Sequence, residues 1–145
     1  MTVVARLSSP LAVALFAAVA LFASPTFADA PARNRVVVQV SDNDPAKWSL
    51  ALNNARNLQT DLGAQNVEVE IVAYGPGIGM LKAESVVGNR IGEALHGGVK
   101  VSACENTMRG QKLAKSDMLD GIGYVPAGVV EIMKRQQEGW AYLRP

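Results

Sequence analysis

The sequence predicts a three-layer α/β/α domain built on a mostly parallel sheet of five strands. Three observations carry this. Short β-branched runs alternate with segments of helical period about four times, and the chain closes on a last strand. The first run, Arg35 to Ser41, is Arg-Val-Val-Val-Gln-Val-Ser, nearly continuous in the way a strand buried on both faces requires. Proline and glycine bracket the first helix as a βα unit demands, with Pro45 just inside its start and Gly63 just past its end. The simplest strand order for such a chain is the flavodoxin-like 2-1-3-4-5.

The elements follow in turn. After the first strand, Asp44 is placed to cap a helix whose first position is Pro45, where the missing N–H costs nothing. Trp48, Leu52, Ala55, Leu58 and Leu62 then form one apolar stripe to lay on a sheet. Asn66 to Tyr74 alternates Val67, Val69 and Ile71 with Glu68 and Glu70, which predicts a strand with one wet side, near an edge. Gly75-Pro76-Gly77-Ile78-Gly79 is a loop. It fits neither G-x-G-x-x-G nor a Walker motif, and it reads as a tight turn needing positive φ rather than a phosphate cradle.

Met80 to Ser85 is a short helix or irregular segment. Val86 to Gly97 is a helix carrying Val87, Ile91 and Leu95, ending at Gly97-Gly98 with His96 in its last turn. Val99 to Ala103 alternates as a strand and delivers Cys104. A helix over Thr107 to Leu113 follows, with Asn106 as its candidate cap. Ser116 to Asp120 is a turn or short helix, Gly121 to Val125 a fourth strand, and Pro126 opens a helix that ends at Gly139. In that helix Val129, Val130 and Met133 are apolar, and Lys134-Arg135 lie where the dipole favours cations. Trp140 to Leu143 is the last strand.

The first thirty residues read as a secretory leader. Arg6 supplies a weak basic start, and Leu11 to Ala23 is an apolar run of roughly 13 residues, short of the ~20 that a membrane span needs. The small-residue site Ala28-Asp29-Ala30 places cleavage after Ala30. The expected division is therefore a signal peptide over 1–30 and one α/β domain over 31–145, exported to a bacterial periplasm and free of the membrane once cleaved. An uncleaved anchor is the alternative.

Composition narrows the function classes. A formal net charge of +1, with no block of like charge, gives no general attraction to nucleic acid or anionic membrane. One His and one Cys cannot close a zinc or iron–sulfur site within a chain, and no metal or cofactor is expected. Cys104 is the only cysteine, so it stays free, is modified, or pairs between chains. It falls after the carboxyl end of a strand, where α/β proteins collect ligands and chemistry. In the 2-1-3-4-5 order the first and third strands are neighbours. The Asp42–Asp44 loop would then face the Cys104 loop across a crevice, with Gly75–Gly79 beside them.

Three stretches together resemble the DsrE/DsrF-like family: Ala103-Cys104-Glu105-Asn106-Thr107-Met108 after its strand, Tyr74-Gly75-Pro76-Gly77-Ile78, and Tyr124-Val125-Pro126-Ala127-Gly128-Val129. The likeness runs from Arg35 to Tyr142. It implies a three-layer α/β fold and a homo-oligomer, often a trimer or hexamer. It also implies that Cys104 stands at the position of the family's sulfur-handling cysteine, with a donor or acceptor protein as partner. The family's better-understood carriers work in the cytoplasm, whereas this chain reads as exported.

Three readings of Cys104 compete. It is a persulfide carrier of sulfurtransferase type, or a bystander in an oligomeric module that binds a small ligand or a partner, or a plain buried cysteine. A carrier needs a thiolate and donors around it. A helix start supplies donors, Glu105 opposes them, and Arg109 is the nearest offset. Candidate ligand-binding residues around the crevice are Asn43, Gly75, Gly77, Asn106 and Tyr124. His96 is predicted at the opposite edge of the sheet, out of reach of the thiol, which argues against a Cys–His hydrolase.

Overall fold

The computed structural model describes residues 34–145; the leader and cleavage site expected over 1–30 lie outside them. Five strands, β1 (Asn34–Val40), β2 (Val67–Ala73), β3 (Lys100–Cys104), β4 (Gly123–Val125) and β5 (Ala141–Leu143), form one sheet. All pairings are parallel. The helices are α1 (Pro45–Leu62), α2 (Gly88–His96), α3 (Glu105–Gly110) and α4 (Gly128–Gln137), with a 3-10 stretch over Gly75–Leu81. The α/β class, the five strands and the parallel sheet are as predicted.

The strand order is not. It is 4-3-2-1-5 rather than 2-1-3-4-5. β2 lies between β1 and β3, in register from Asn34↔Val67 to Val40↔Ala73 on one side and from Glu70↔Lys100 to Ala73↔Ala103 on the other. The prediction took Glu68 and Glu70 for a wet face. Glu68 is instead met by the Lys100 Nζ at 3.3 Å. Glu70, only 2 % exposed, accepts from the Arg135 Nε at 2.6 Å and from the Ser102 hydroxyl at 2.8 Å. A carboxylate satisfied in this way can sit in a central strand.

The order also sets the layers. From β1 to β4 the chain steps in one direction, so right-handed crossovers place α1 and α2 on one face. The last crossover runs back to β5 beside β1 and puts α4 on the other, across β1, β2, β3 and β5. The first face holds the larger core, where Val36, Val38, Val69, Ile71 and Val101 meet α1 and α2. The second is thin: Val37, Val72, Ile132 and Trp140, with Tyr74 and Val125 against them.

Local chemistry explains the element ends. Asp44 accepts from the Ala46 N–H at 2.9 Å and caps α1, Pro45 occupies its first turn, and Gly63 ends it at φ +85°. Trp48, Ala51, Leu52 and Ala55 bury the stripe, each large side chain contributing about 1.5–3 kcal/mol. Gly77 packs so tightly on β1 that a Cβ there would lie 2.3 Å from the Val40 carbonyl oxygen. Several boundaries differ from expectation by a few residues, and two of them bear on the site. α3 starts at Glu105 with Cys104 as its flanking residue, because β3 runs straight into it. α4 starts at Gly128, two residues after Pro126.

Candidate functional site

Register and pleat place Cys104. Val40, Ala73, Ala103 and Tyr124 form one row across the sheet, and Cys104 pairs with Val125 one step further on. Tyr74 follows Ala73, so Tyr74 and Cys104 stand side by side at the carboxyl edge. Successive side chains alternate faces. Ala73 and Ala103 enter the α1 face, while Tyr74 and Val125 pack on the α4 side. Cys104 shares that side with Ser102, which bonds to Glu70 beneath α4.

The thiol lies just under the surface, 5 % exposed. Burial pushes its pKa up. The Thr107 hydroxyl and the N–H groups of Gly128, Thr107 and Asn106 outweigh that and hold it below the usual cysteine value. These donors belong to the first turns of α3 and α4, so two helix starts converge on one sulfur. The Asn106 N–H is aimed mainly at the Pro126 carbonyl, 3.1 Å away, and Sγ makes no full capping bond to α3. The weight therefore falls on Thr107 and Gly128. The Thr107 Oγ1 in turn accepts from the Gly75 N–H at 2.9 Å, which leaves its own proton for sulfur. Gly75 reaches that position at φ +53°.

Tyr74 separates the thiol from a second polar group. Its hydroxyl pKa is raised first by burial, then by Tyr142, Asp42 and Cys104, with Arg144 opposing. Asp42 bonds to Lys47 at 3.1 Å and lies 3.6 Å from Arg144. Lys47, and after it Arg144, hold its carboxyl below the usual range. The Tyr142 hydroxyl donates to the Gln39 Oε1 at 2.6 Å.

The residues singled out in the sequence divide. Gly75 reaches the thiol's surroundings through Thr107. Asn106 sits on α3 with its side-chain oxygen held by Arg109, so Arg109 is engaged there. Asn43 is exposed in the β1–α1 loop beside Gly79, and β2 with its Tyr74 loop stands between that loop and Cys104. The crevice expected between the first and third strands is thus replaced by a row of three loops. Gly77 is buried on β1, where it permits close backbone approach. Tyr124 turns to the α1 face, and the Lys115 Nζ lies 4.4 Å from its ring centroid. His96 ends α2 four residues before β3 begins, its Nδ1 2.7 Å from the Gly92 carbonyl oxygen. It is therefore at the edge opposite Cys104.

Sequence reasoning missed Tyr74, Thr107 and Gly128 as parts of the site. The spacing from Cys104 to Thr107 is that of a helix cap to its third residue, a signal that was present but assigned to Asn106. Among the described residues no cluster of His, Cys, Asp or Glu is placed to hold a metal ion, and no helix is long and apolar enough to cross a membrane.

Known proteins place the chain. The family model of the DsrE/DsrF-like family matches residues 34–145. A solved structure of a protein of unknown function, MTH1491 from Methanobacterium thermoautotrophicum, is 38% identical, with a TM-score of 0.73 over 77% of this chain and 99% of that one. BT1422 of Bacteroides thetaiotaomicron, also of unknown function, shares the fold at 15% identity and a TM-score of 0.66, over 81% of this chain and 100% of its own. The E. coli ychN protein does so at 14% and 0.58, over 78% of this chain and 99% of its own. No curated protein matches. With a family model spanning the whole described domain and a 38% identical structure in agreement, the chain belongs to the DsrE/DsrF-like family.

Proposed function

We propose that this protein carries sulfane sulfur on Cys104. One observation carries the reading: a lone cysteine at the carboxyl edge of a parallel sheet, its thiolate favoured by the Thr107 hydroxyl and the Gly128 N–H. In the loading step the Cys104 thiolate attacks the outer sulfur of a persulfide or polysulfide. The new bond is Sγ–S. The donor's S–S bond breaks, and its electron pair leaves on the donor thiolate. An acceptor thiolate reverses the exchange, and no external oxidant is consumed.

The leader pattern over 1–30 supports export to a periplasm with cleavage after Ala30. Exposed Val129, Val130 and Met133 on α4 and Tyr142 and Leu143 on β5 support a homo-oligomer, a trimer or hexamer. The 5 % exposure of Cys104 favours one other reading, an oligomeric binding module in which this cysteine is structural.

Intact mass of the mature protein, before and after polysulfide, decides between them. A gain of ~32 mass units per sulfur atom, reversed by reductant and absent in Cys104→Ser, is the expected result. A folded protein that takes up no sulfur would sink the carrier reading. The same spectrum shows whether the chain begins at Pro31, and light scattering gives the oligomer.

A further inference from the structure

Helix α4 meets the sheet through one stripe. Gly128, Ile132 and Arg135 recur at i, i+4 and i+7, which puts them on one helix face. Along β2 and the residue just after it, running the other way, Tyr74, Val72 and Glu70 share the face beneath. The two stripes match pair by pair. A Cβ on residue 128 would lie 3.0 Å from the Tyr74 Cβ. Ile132 packs in one cluster with Val72. The Arg135 Nε donates to the Glu70 Oε2 at 2.6 Å.

The last pair is the directional one. Ile132 is the only large apolar side chain α4 buries on the sheet, and apolar contact sets no register by itself. Glu70 is fixed in the sheet by Ser102, two residues before Cys104 on β3. Arg135 is fixed on its helix by Glu131 at 2.9 Å and Glu138 at 3.2 Å. Each partner is therefore also held within its own layer.

We propose that the Glu70–Arg135 pair is a positioning device for Cys104: it locks the register of α4 on β2 and so holds the Gly128 N–H against Sγ. The pair acts along about two turns of helix, ~10 Å, and does not touch the sulfur. The inference rests on Cys104 being the reactive group of the proposed function. It assigns a use to a partly buried ion pair, a kind of contact that adds little net stability but can specify one arrangement.

The test is the pH profile of Cys104 alkylation by iodoacetamide in the folded, full domain, with urea stability measured in parallel. The variants are Glu70→Gln and the apolar double Glu70→Leu/Arg135→Met. Every other titratable or charged group on the elements around Cys104 is kept throughout: Glu68 and Tyr74, Lys100, Glu105 and Arg109, Tyr124, and Glu131 and Lys134. The alkylation midpoint is expected to rise by about one pH unit in the double variant, even where its stability matches the parent. Glu70→Gln, which retains a hydrogen-bonding side chain, shifts less. Leu52→Ala, on the opposite face, supplies a destabilised control whose midpoint stays put. Arg135→Lys keeps the charge and recovers part of the profile.

An unmoved midpoint in the folded double variant overturns the proposal, as does an equal shift in Leu52→Ala. Alkylation needs no sulfur transfer. A parent that takes up no sulfane sulfur would sink the carrier reading and leave this measurement standing; an unmoved midpoint would do the reverse.

Discussion

Thr107→Val is the sharpest probe of the thiol's environment. The substitution nearly conserves volume but removes both roles of the hydroxyl. The Gly75 N–H, 2.9 Å from Oγ1, loses its acceptor, and Sγ loses a donor. The bond is only partly buried, so the orphaned N–H costs about 1–2 kcal/mol, the lower part of the range for an unpaired group. The thiol pKa rises toward its ordinary value, and the midpoint of thiolate formation moves up in pH with it. The linkage has a definite sign. A thiol whose folded pKa is depressed adds stability above the unfolded value of about 8.5, and that increment is lost as pH falls through the folded value. Stability of the parent should therefore climb with pH through the folded thiol's titration, and Thr107→Val should flatten the climb. Iodoacetamide kinetics across pH and urea unfolding followed by the buried Trp48 and Trp140 measure the two effects. Thr107→Ser is expected to restore both. Equal profiles for Val and Ser would refute the hydroxyl's role.

Other outcomes follow from single contacts. Gly77→Ala drives a Cβ to 2.3 Å from the Val40 carbonyl oxygen and 2.9 Å from the Ser41 Cα, and backbone cannot step aside cheaply. A loss at or above the usual overpacking cost of about 1–3 kcal/mol is expected in urea melts, and a neutral result would mean the loop has another conformation. Asp44→Ala removes the α1 cap, and thermal unfolding should report about 1 kcal/mol. His96→Ala should leave Cys104 alkylation and sulfur uptake unchanged, since the imidazole is bonded to Gly92 at the far edge. A large loss of either would contradict the sheet topology.

What the sequence disclosed and what it hid divide along a physical line. Helix α1 was legible because its signals are local: Asp44 caps, Pro45 starts, one stripe buries, Gly63 ends. Cys104 was legible for the same reason, since a short alternating strand followed by polar helix-starting residues marks a carboxyl edge. Its chemical partners were not. Gly128 lies 24 residues further along the chain, beyond another strand, and only the pairing of β4 on β3 brings it to the sulfur. Thr107 was within reach of sequence reasoning, but Asn106 is the better cap by residue type, and the helix began earlier because β3 enters it without a loop.

Glu70 shows how one local misreading spreads. Alternating glutamates on a strand ordinarily mark water, and that reading put β2 near an edge. It agreed with the flavodoxin-like order, in which β2 is outermost and β1 and β3 are neighbours, and the thiol's expected surroundings became the Asp42–Asp44 loop. The missing fact was a long-range partner: Arg135, 65 residues later, on a helix whose basic end is equally well explained by its dipole. Once that pair forms, β2 can be central, its Tyr74 can stand beside Cys104, and α4 is drawn over the second face with its first N–H at the sulfur. The glutamate that was read as wet is thus the one that ties the sheet's centre to α4, through Arg135 on one side and Ser102 on the other.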